Sequence, residues 1–144
     1  MSIRIASGSG FWGDLPDAPL DQVRAGPADY LVMDYLAEVT MSILQKQKER
    51  DPERGYARDF VALADELLPV CRDRGVRIVT NAGGVHPEAC RDRLVEIARE
   101  AGLDGLRVAT VTGDDLLPRF GELEERGVGF EHFDRRRVPI DADV

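Results

Sequence analysis

The sequence predicts an α/β fold of the Rossmann-like type, a three-layer sandwich in which about four parallel strands carry helices on both faces. Two observations predict it. Short apolar runs, which suit strands buried on both faces, alternate along the chain with longer segments whose apolar residues recur at helical spacing. Each connection between successive runs is long enough to hold a helix, and strand–helix–strand units build a parallel sheet.

Four apolar runs are predicted to form the strands, and five amphipathic segments are predicted to form the helices. Glycine, proline or an acidic residue follows almost every one of these segments, as expected at turns. Pro69 lies inside the third helical segment and predicts a kink or a break there. The strands are predicted at residues 3–7, 30–33, 76–80 and 106–111, and the helices at 19–25, 36–50, 57–74, 87–101 and 116–126.

The chain length indicates one main domain. Its 144 residues fit a single α/β domain, which is predicted at residues 1–126. The tail, residues 127–144, has weak signals of order, namely a short apolar run at 138–140 and the basic triplet Arg135–Arg137. We expect this tail to lead into a second region that the sequence does not contain.

Composition and charge argue against several classes of function. Acidic residues outnumber basic ones by 27 to 19, and the formal net charge of −8 argues against binding to nucleic acid or to an anionic membrane. Cys71 and Cys90 are too few for a disulfide framework or a zinc site, and both fall in helical segments. Since the N-terminus has no targeting pattern, we expect a cytoplasmic protein with two buried, reduced thiols.

Polar or glycine-rich residues follow each predicted strand at its carboxyl end. In open α/β sheets this edge is where ligands bind, so we predict a ligand cleft over the strand ends. The candidate ligand-binding residues are Ser7, Gly8, Ser9, Gly10, Trp12, Asn81, Gly83 and Gly84, and the candidate catalytic residues are Asp34, Glu38, Asp114 and Asp115.

The four candidate acids allow more than one interpretation. Crowded carboxylates repel one another, so an array of them needs a cation, a shared proton or separation. Oxygen ligands suit a divalent metal, and carboxyl groups also serve as general acids and bases. In the alternative interpretation, Asp114 or Asp115 caps a helix, and an early acid such as Glu38 stabilises the start of another.

Two glycine-rich loops bear on the ligand. Gly8, Gly10 and Gly13 match the spacing of the dinucleotide-binding fingerprint, but the prolines that follow disfavour the helix that this motif requires. The loop Asn81–Gly84 precedes a helix, where backbone N–H groups can bind an anion or a carbonyl oxygen. The alternative is a tight turn that needs glycine for its geometry alone. If the loop binds ligand, Gly83→Val should damage binding more than folding.

Several segments in one order resemble the acyclic terpene utilisation (AtuA-like) family. They are residues 24–41, 51–60, 80–84 and 113–116, together with the opening Gly8–Asp14. The resemblance covers roughly residues 3–118. One position departs from the family pattern, because His86 stands where relatives commonly have asparagine. Family members are also much longer, with a further α/β region after this one.

The resemblance implies a role in the bacterial breakdown of acyclic terpenes such as citronellol and geraniol, which uses acyl-CoA intermediates. We expect part of a catabolic enzyme that binds a small acyl or terpenoid ligand, or its CoA thioester, over the strand ends. The alternative is a non-catalytic binding or assembly module that pairs with a partner chain carrying the rest of the family region. A homo-oligomer or such a partner would cover the surface left exposed without that region.

Overall fold

The structure is a computed structural model and describes residues 2–131. The chain divides into two units between Val111 and Thr112. The first unit is α/β with a parallel sheet, which confirms the predicted fold class at that level. The apolar run at 138–140 and the basic triplet Arg135–Arg137 lie outside the described residues. No helix within residues 2–131 combines the length and the apolar character needed to cross a bilayer.

A three-stranded parallel sheet forms the centre of the first unit. Its strands are β1 (Ile5–Ser9), β2 (Tyr30–Met33) and β3 (Arg77–Thr80), in the spatial order β1-β2-β3. The pairing of β1 with β2 becomes irregular near its end, where Ser9 lies opposite Met33. Three of the predicted strands are therefore confirmed, with shifts of one or two residues at their ends.

The helices follow the strands in the predicted order. Gly75 ends α3 with a φ of 68°, a left-handed conformation that glycine adopts at little cost. The helix α3 also runs past Pro69 without the predicted break. The helices are α1 (Ala18–Ala25), α2 (Glu38–Arg50), α3 (Arg58–Arg74), α4 (Pro87–Glu100) and, in the second unit, α5 (Phe120–Glu125) after a 3-10 turn at Leu117–Arg119.

Residues 106–111 do not form the predicted fourth strand. Among the described residues of this unit, strand pairing ends at β3. The side chains nevertheless alternate as in a strand, because Leu106 and Val108 pack against the core whereas Arg107 and Val111 are exposed. The apolar pattern therefore correctly predicts an extended, half-buried segment. Such a pattern does not show whether the segment forms backbone hydrogen bonds with another strand.

Within the described part of the first unit, helices cover only one face of the sheet. Leu31 and Met33 of β2 are buried in the core with α1 and α3, whereas Val32 between them is 38% exposed. On the flanking strands, Ile5 and Val79 are 68% and 52% exposed. The predicted sandwich with helices on both faces is therefore not formed by this part of the chain. We call the uncovered side, formed by Ile5, Tyr30, Val32, Arg77 and Val79, the open sheet face.

The core lies between the covered sheet face and the helices α1, α3 and α4. Cys71 on α3 and Cys90 on α4 are both buried there as free thiols, as the helical pattern predicts. Burial raises the pKa of each thiol to about 11, so both stay protonated at neutral pH. The two cysteines therefore serve as small core side chains.

The loop after β3 is fitted closely against its neighbours. Gly84 has a φ of 55°, and a Cβ atom there would lie 2.5 Å from the carbonyl oxygen of Gly55 and 2.5 Å from Cδ1 of Leu44. Nζ of Lys48 on α2 also donates a 2.8 Å hydrogen bond to the carbonyl oxygen of Val85. These contacts fasten α2 to the loop, and they leave no space for a side chain at position 84.

We expect Gly84→Ala to lower the free energy of unfolding by about 2–4 kcal/mol, because it adds backbone strain and a clash with Gly55 and Leu44. The measurement is a urea unfolding curve. Gly26→Ala is the matched control, since Gly26 has an extended φ of −158° and nothing within 4 Å of the added carbon. Equal unfolding midpoints for the two variants would contradict the expected crowding.

Candidate functional site

A hydrogen-bonded cluster joins the carboxyl ends of the three strands. Nδ2 of Asn81, just after β3, donates a 2.7 Å hydrogen bond to Oδ1 of Asp34, just after β2. Towards β1, the Ser9 hydroxyl donates to the carbonyl oxygen of Asp34 over 3.2 Å. The N–H of Asp34 donates a 3.1 Å hydrogen bond to the carbonyl oxygen of Ser9. We call Ser9, Asp34 and Asn81 the strand-end cluster, and it brings together three of the four predicted segments.

The side-chain amide of Asn81 suits this place because it donates and accepts at once. While its Nδ2 donates to Asp34, its Oδ1 accepts a 2.8 Å hydrogen bond from the N–H of Tyr35. Oδ1 of Asp34 in turn accepts a 3.1 Å hydrogen bond from the N–H of Leu36, an Asx turn that leads the chain away from β2. An aspartate at position 81 would lack the donor and would repel Asp34.

These hydrogen bonds hold the pKa of Asp34 below its ordinary value of 3.8. The Asn81 amide is the largest cause, followed by the N–H of Leu36. Asp34 is therefore an exposed carboxylate at neutral pH, and its Oδ2 takes no part in either bond. Such a group accepts hydrogen bonds from a ligand readily, but it is a poor general acid at neutral pH.

Tyr35 is a candidate that the sequence analysis missed. Its side chain is buried, and its ring meets that of Phe60 edge to face with 5.9 Å between centroids. Burial raises the pKa of Tyr35 to about 12, although the Ser9 hydroxyl acts in the opposite sense. The phenol therefore keeps its proton and can donate a hydrogen bond beside the strand-end cluster. Its position directly after Asp34 is the signal that could have revealed it.

An open groove of about 390 Å³ lies beside Trp12. Trp12, in the loop after β1, is half-buried and packs against the core. No residue of the strand-end cluster lines this groove. The residues that line this Trp12 groove are Trp12, Gln47, Arg54, Arg58, Asp59 and Ala62.

Three further candidates, on β1 and directly after it, take no part in the hydrogen bonds of the strand-end cluster. Ser7 is exposed on the same side of the sheet as Val32, with which it pairs. Gly8 is buried, and a Cβ atom there would lie 3.1–3.2 Å from side chains of β2 and α1. The absence of a side chain at Gly8 allows α1 to pack on β1. Gly10 is exposed, and its N–H is held by Oδ2 of Asp14 over 2.9 Å.

The loop Asn81–Gly84 fits the description of a tight turn. Three N–H groups, one in this loop and two directly after it, already donate hydrogen bonds to backbone carbonyl oxygens. These three groups are therefore not free to bind an anion. A Cβ atom on Gly83 would lie 2.9 Å from Cα of Pro87, the first residue of α4. We therefore correct the expectation for Gly83→Val, which should damage folding first. The three donors are Gly84, Val85 and His86.

Two of the remaining candidate acids lie at or just before helix starts. Glu38 is exposed at the first residue of α2, where a carboxylate stabilises the helix dipole. In the second unit, Oδ1 of Asp115 accepts a 3.1 Å hydrogen bond from the N–H of Leu117, the first residue of the 3-10 turn. That Asp114 and Asp115 share in the strand-edge site stays a prediction. Within residues 2–131, no three His, Cys, Asp or Glu side chains are grouped to hold a metal ion.

We expect Asn81→Ala to raise the pKa of Asp34 towards 3.8, because it removes the largest cause of the lowered value. A carboxyl group with a lowered folded-state pKa contributes stability above its unfolded pKa and loses it as the pH falls through the folded pKa. The variant should be less stable than the wild type at neutral pH, because two hydrogen bonds are lost. It should then lose less additional stability as the pH falls.

A carboxyl-carbon NMR titration of both proteins measures this shift. Asp29 is the internal control, because its pKa is lowered chiefly by the backbone N–H of Arg4, away from position 81. An unchanged Asp34 midpoint in the variant would show that Asn81 does not set its charge.

Comparison with known protein families identifies the family of the chain. The sequence profile of the family described as acyclic terpene utilisation family protein AtuA matches residues 3–142. No curated protein and no solved structure matches the chain significantly. The matched stretch includes the strand-end cluster and the Trp12 groove, and it spans nearly the whole sequence. The chain therefore belongs to the acyclic terpene utilisation family AtuA.

Proposed function

We propose that this chain is part of a catabolic enzyme for acyclic terpenoids and binds a small acyl or terpenoid ligand at the strand-end cluster. The observation that carries this proposal is the meeting of Ser9, Asp34 and Asn81 at the carboxyl edge of the sheet. Open α/β sheets bind their ligands at this edge. Family membership supports the class of ligand.

The groups at this edge are suited to a molecule with a hydrocarbon chain and one polar end. The indole of Trp12 offers an apolar wall to the chain. Oδ2 of Asp34 is an acceptor for a terpenoid hydroxyl, and the protonated phenol of Tyr35 is a donor for a carbonyl oxygen. The Trp12 groove, whose volume of about 390 Å³ is usual for a small-molecule site, is lined by residues outside the strand-end cluster and would take the hydrocarbon chain.

The test is a titration of the ¹⁵N-labelled chain with geraniol, with the acid derived from it and with the CoA thioester of that acid. We expect saturable shifts of the Trp12 indole N–H and of the amides of Gly10, Tyr35 and Asn81. Asp34→Asn should weaken binding of the alcohol by about tenfold, because a charged acceptor is lost.

Asp17→Asn is the matched control for this titration, since Asp17 is an exposed acid at the start of α1. We expect it to bind all three compounds as the wild type does. An absence of saturable shifts at millimolar ligand, or shifts confined to the open sheet face, would contradict the proposed site.

A second candidate function, a non-catalytic assembly module, is favoured by the open sheet face. Ile5, Val32 and Val79 present apolar side chains on one side of a parallel sheet, and such sheets are normally covered on both sides. A second copy of the chain or a partner chain would supply the missing layer. In this function the strand-end cluster serves the fold rather than a ligand.

Sedimentation at low micromolar concentration tests this candidate. We expect the wild type to sediment faster than a 15.9 kDa monomer, and Val79→Lys to reduce that association at least tenfold. Val95→Lys is the control, because Val95 is a similarly exposed valine on α4 and lies outside the open sheet face. Monomeric behaviour of the wild type across the concentration range would contradict self-association.

A further inference from the structure

Two cavities meet at one arginine. The Trp12 groove and a second open cavity of about 380 Å³, which lies along α3 and α4, are both lined by Arg58 and Ala62. The second cavity is more polar, and Tyr56, Arg93 and the two acids Asp65 and Glu100 line its walls. An elongated ligand could therefore lie along both cavities, and any such ligand would pass Arg58.

Arg58 differs from the other arginines of these cavities in its charge environment. Nε of Arg54 lies 2.9 Å from a carboxylate oxygen of Asp51, and NH1 of Arg93 lies 2.7 Å from one of Glu96. Arg58 is exposed, and no carboxylate in the described part of the chain lies at ion-pairing distance from it. Its guanidinium is therefore available to a ligand.

The place of Arg58 in its helix gives no structural reason for a cation. Arg58 is the first residue of α3, next to the positive end of the helix dipole, where a positive charge is unfavourable by a few tenths of a kcal/mol or more. Removal of this charge should therefore leave the fold intact.

We propose that Arg58 binds the anionic head group of the ligand while the hydrocarbon chain lies against Trp12. This inference rests on the proposed function and narrows its ligand to an apolar chain that ends in an anion, in preference to the neutral alcohol. A guanidinium fits the oxygens of a carboxylate and of a phosphate equally well. A free acid would end at Arg58, whereas the nucleotide part of a CoA thioester would continue towards Tyr56 and Arg93.

Fluorescence provides the test, because Trp12 is the single tryptophan of the chain and lines the groove itself. Wild type and Arg58→Gln are titrated with geraniol, the derived acid, its CoA thioester and free CoA. We expect the wild type to bind the acid at least about tenfold more tightly than the alcohol. Arg58→Gln should abolish that preference and leave binding of the alcohol unchanged.

Two further variants identify the source of the anion. Arg50→Gln removes the same charge from the exposed end of α2, which borders neither cavity, and should bind every probe as the wild type does. Arg93→Gln should weaken binding of the thioester and of free CoA if the anion is a phosphate. It should leave all probes unaffected if the anion is the carboxylate of the free acid.

The outcomes separate this inference from the function on which it rests. If Arg58→Gln binds both acid and alcohol as the wild type does, the role of Arg58 is overturned and the proposed function stands. If the wild type responds to none of the probes, both fail. As a second measurement, 0.5 M salt should weaken binding of the acid to the wild type but not to Arg58→Gln, since salt screens only the charged contact.

Discussion

The amide of Asn81 is the contact on which the candidate site depends. It spans the ends of β2 and β3 by donating to Asp34 and accepting from the N–H of Tyr35. Without the Asn81 amide, β2 and β3 would still pair, but this side-chain link between the loops that follow them would be lost. The bond to Asp34 is the largest cause of the lowered pKa of that carboxyl group, and the bond from Tyr35 holds the backbone that follows β2. A single side chain thus links the two loops and influences the charge at this sheet edge.

The loop that contains Asn81 is itself fixed by packing rather than by a ligand. Gly84 fits against Gly55 and Leu44 with no space for a side chain, and Lys48 bonds to the loop from α2. The turn therefore presents Asn81 towards Asp34 while the N–H groups of Gly84, Val85 and His86 donate to backbone carbonyl oxygens. The glycine-rich sequence thus resembles an anion-binding loop although these three donors are already used within the fold.

Local patterns predicted the elements well and their surroundings less well. The run 30–33 is apolar throughout, which predicted burial on both faces, yet Val32 is exposed while Leu31 and Met33 are buried. The apolar pattern of a strand shows which side chains can be buried. It does not show what packs against them. Three strand ends were correctly placed at one edge because parallel topology dictates it. That Gly8 contacts a ligand stays a prediction, because the sequence alone does not distinguish a glycine needed for the packing of a helix from one needed for a ligand.

The acidic character of the chain does not oppose an anion at Arg58. The net charge of −8 belongs to the chain as a whole, and charges farther away than about 8 Å are largely screened at physiological salt. An exposed ion pair contributes about 0–1 kcal/mol, and paired hydrogen bonds from a guanidinium to an anion add to it. Acids also line the two cavities, namely Asp59, Asp65 and Glu100. An anion is therefore favoured only where its oxygens contact Arg58 directly.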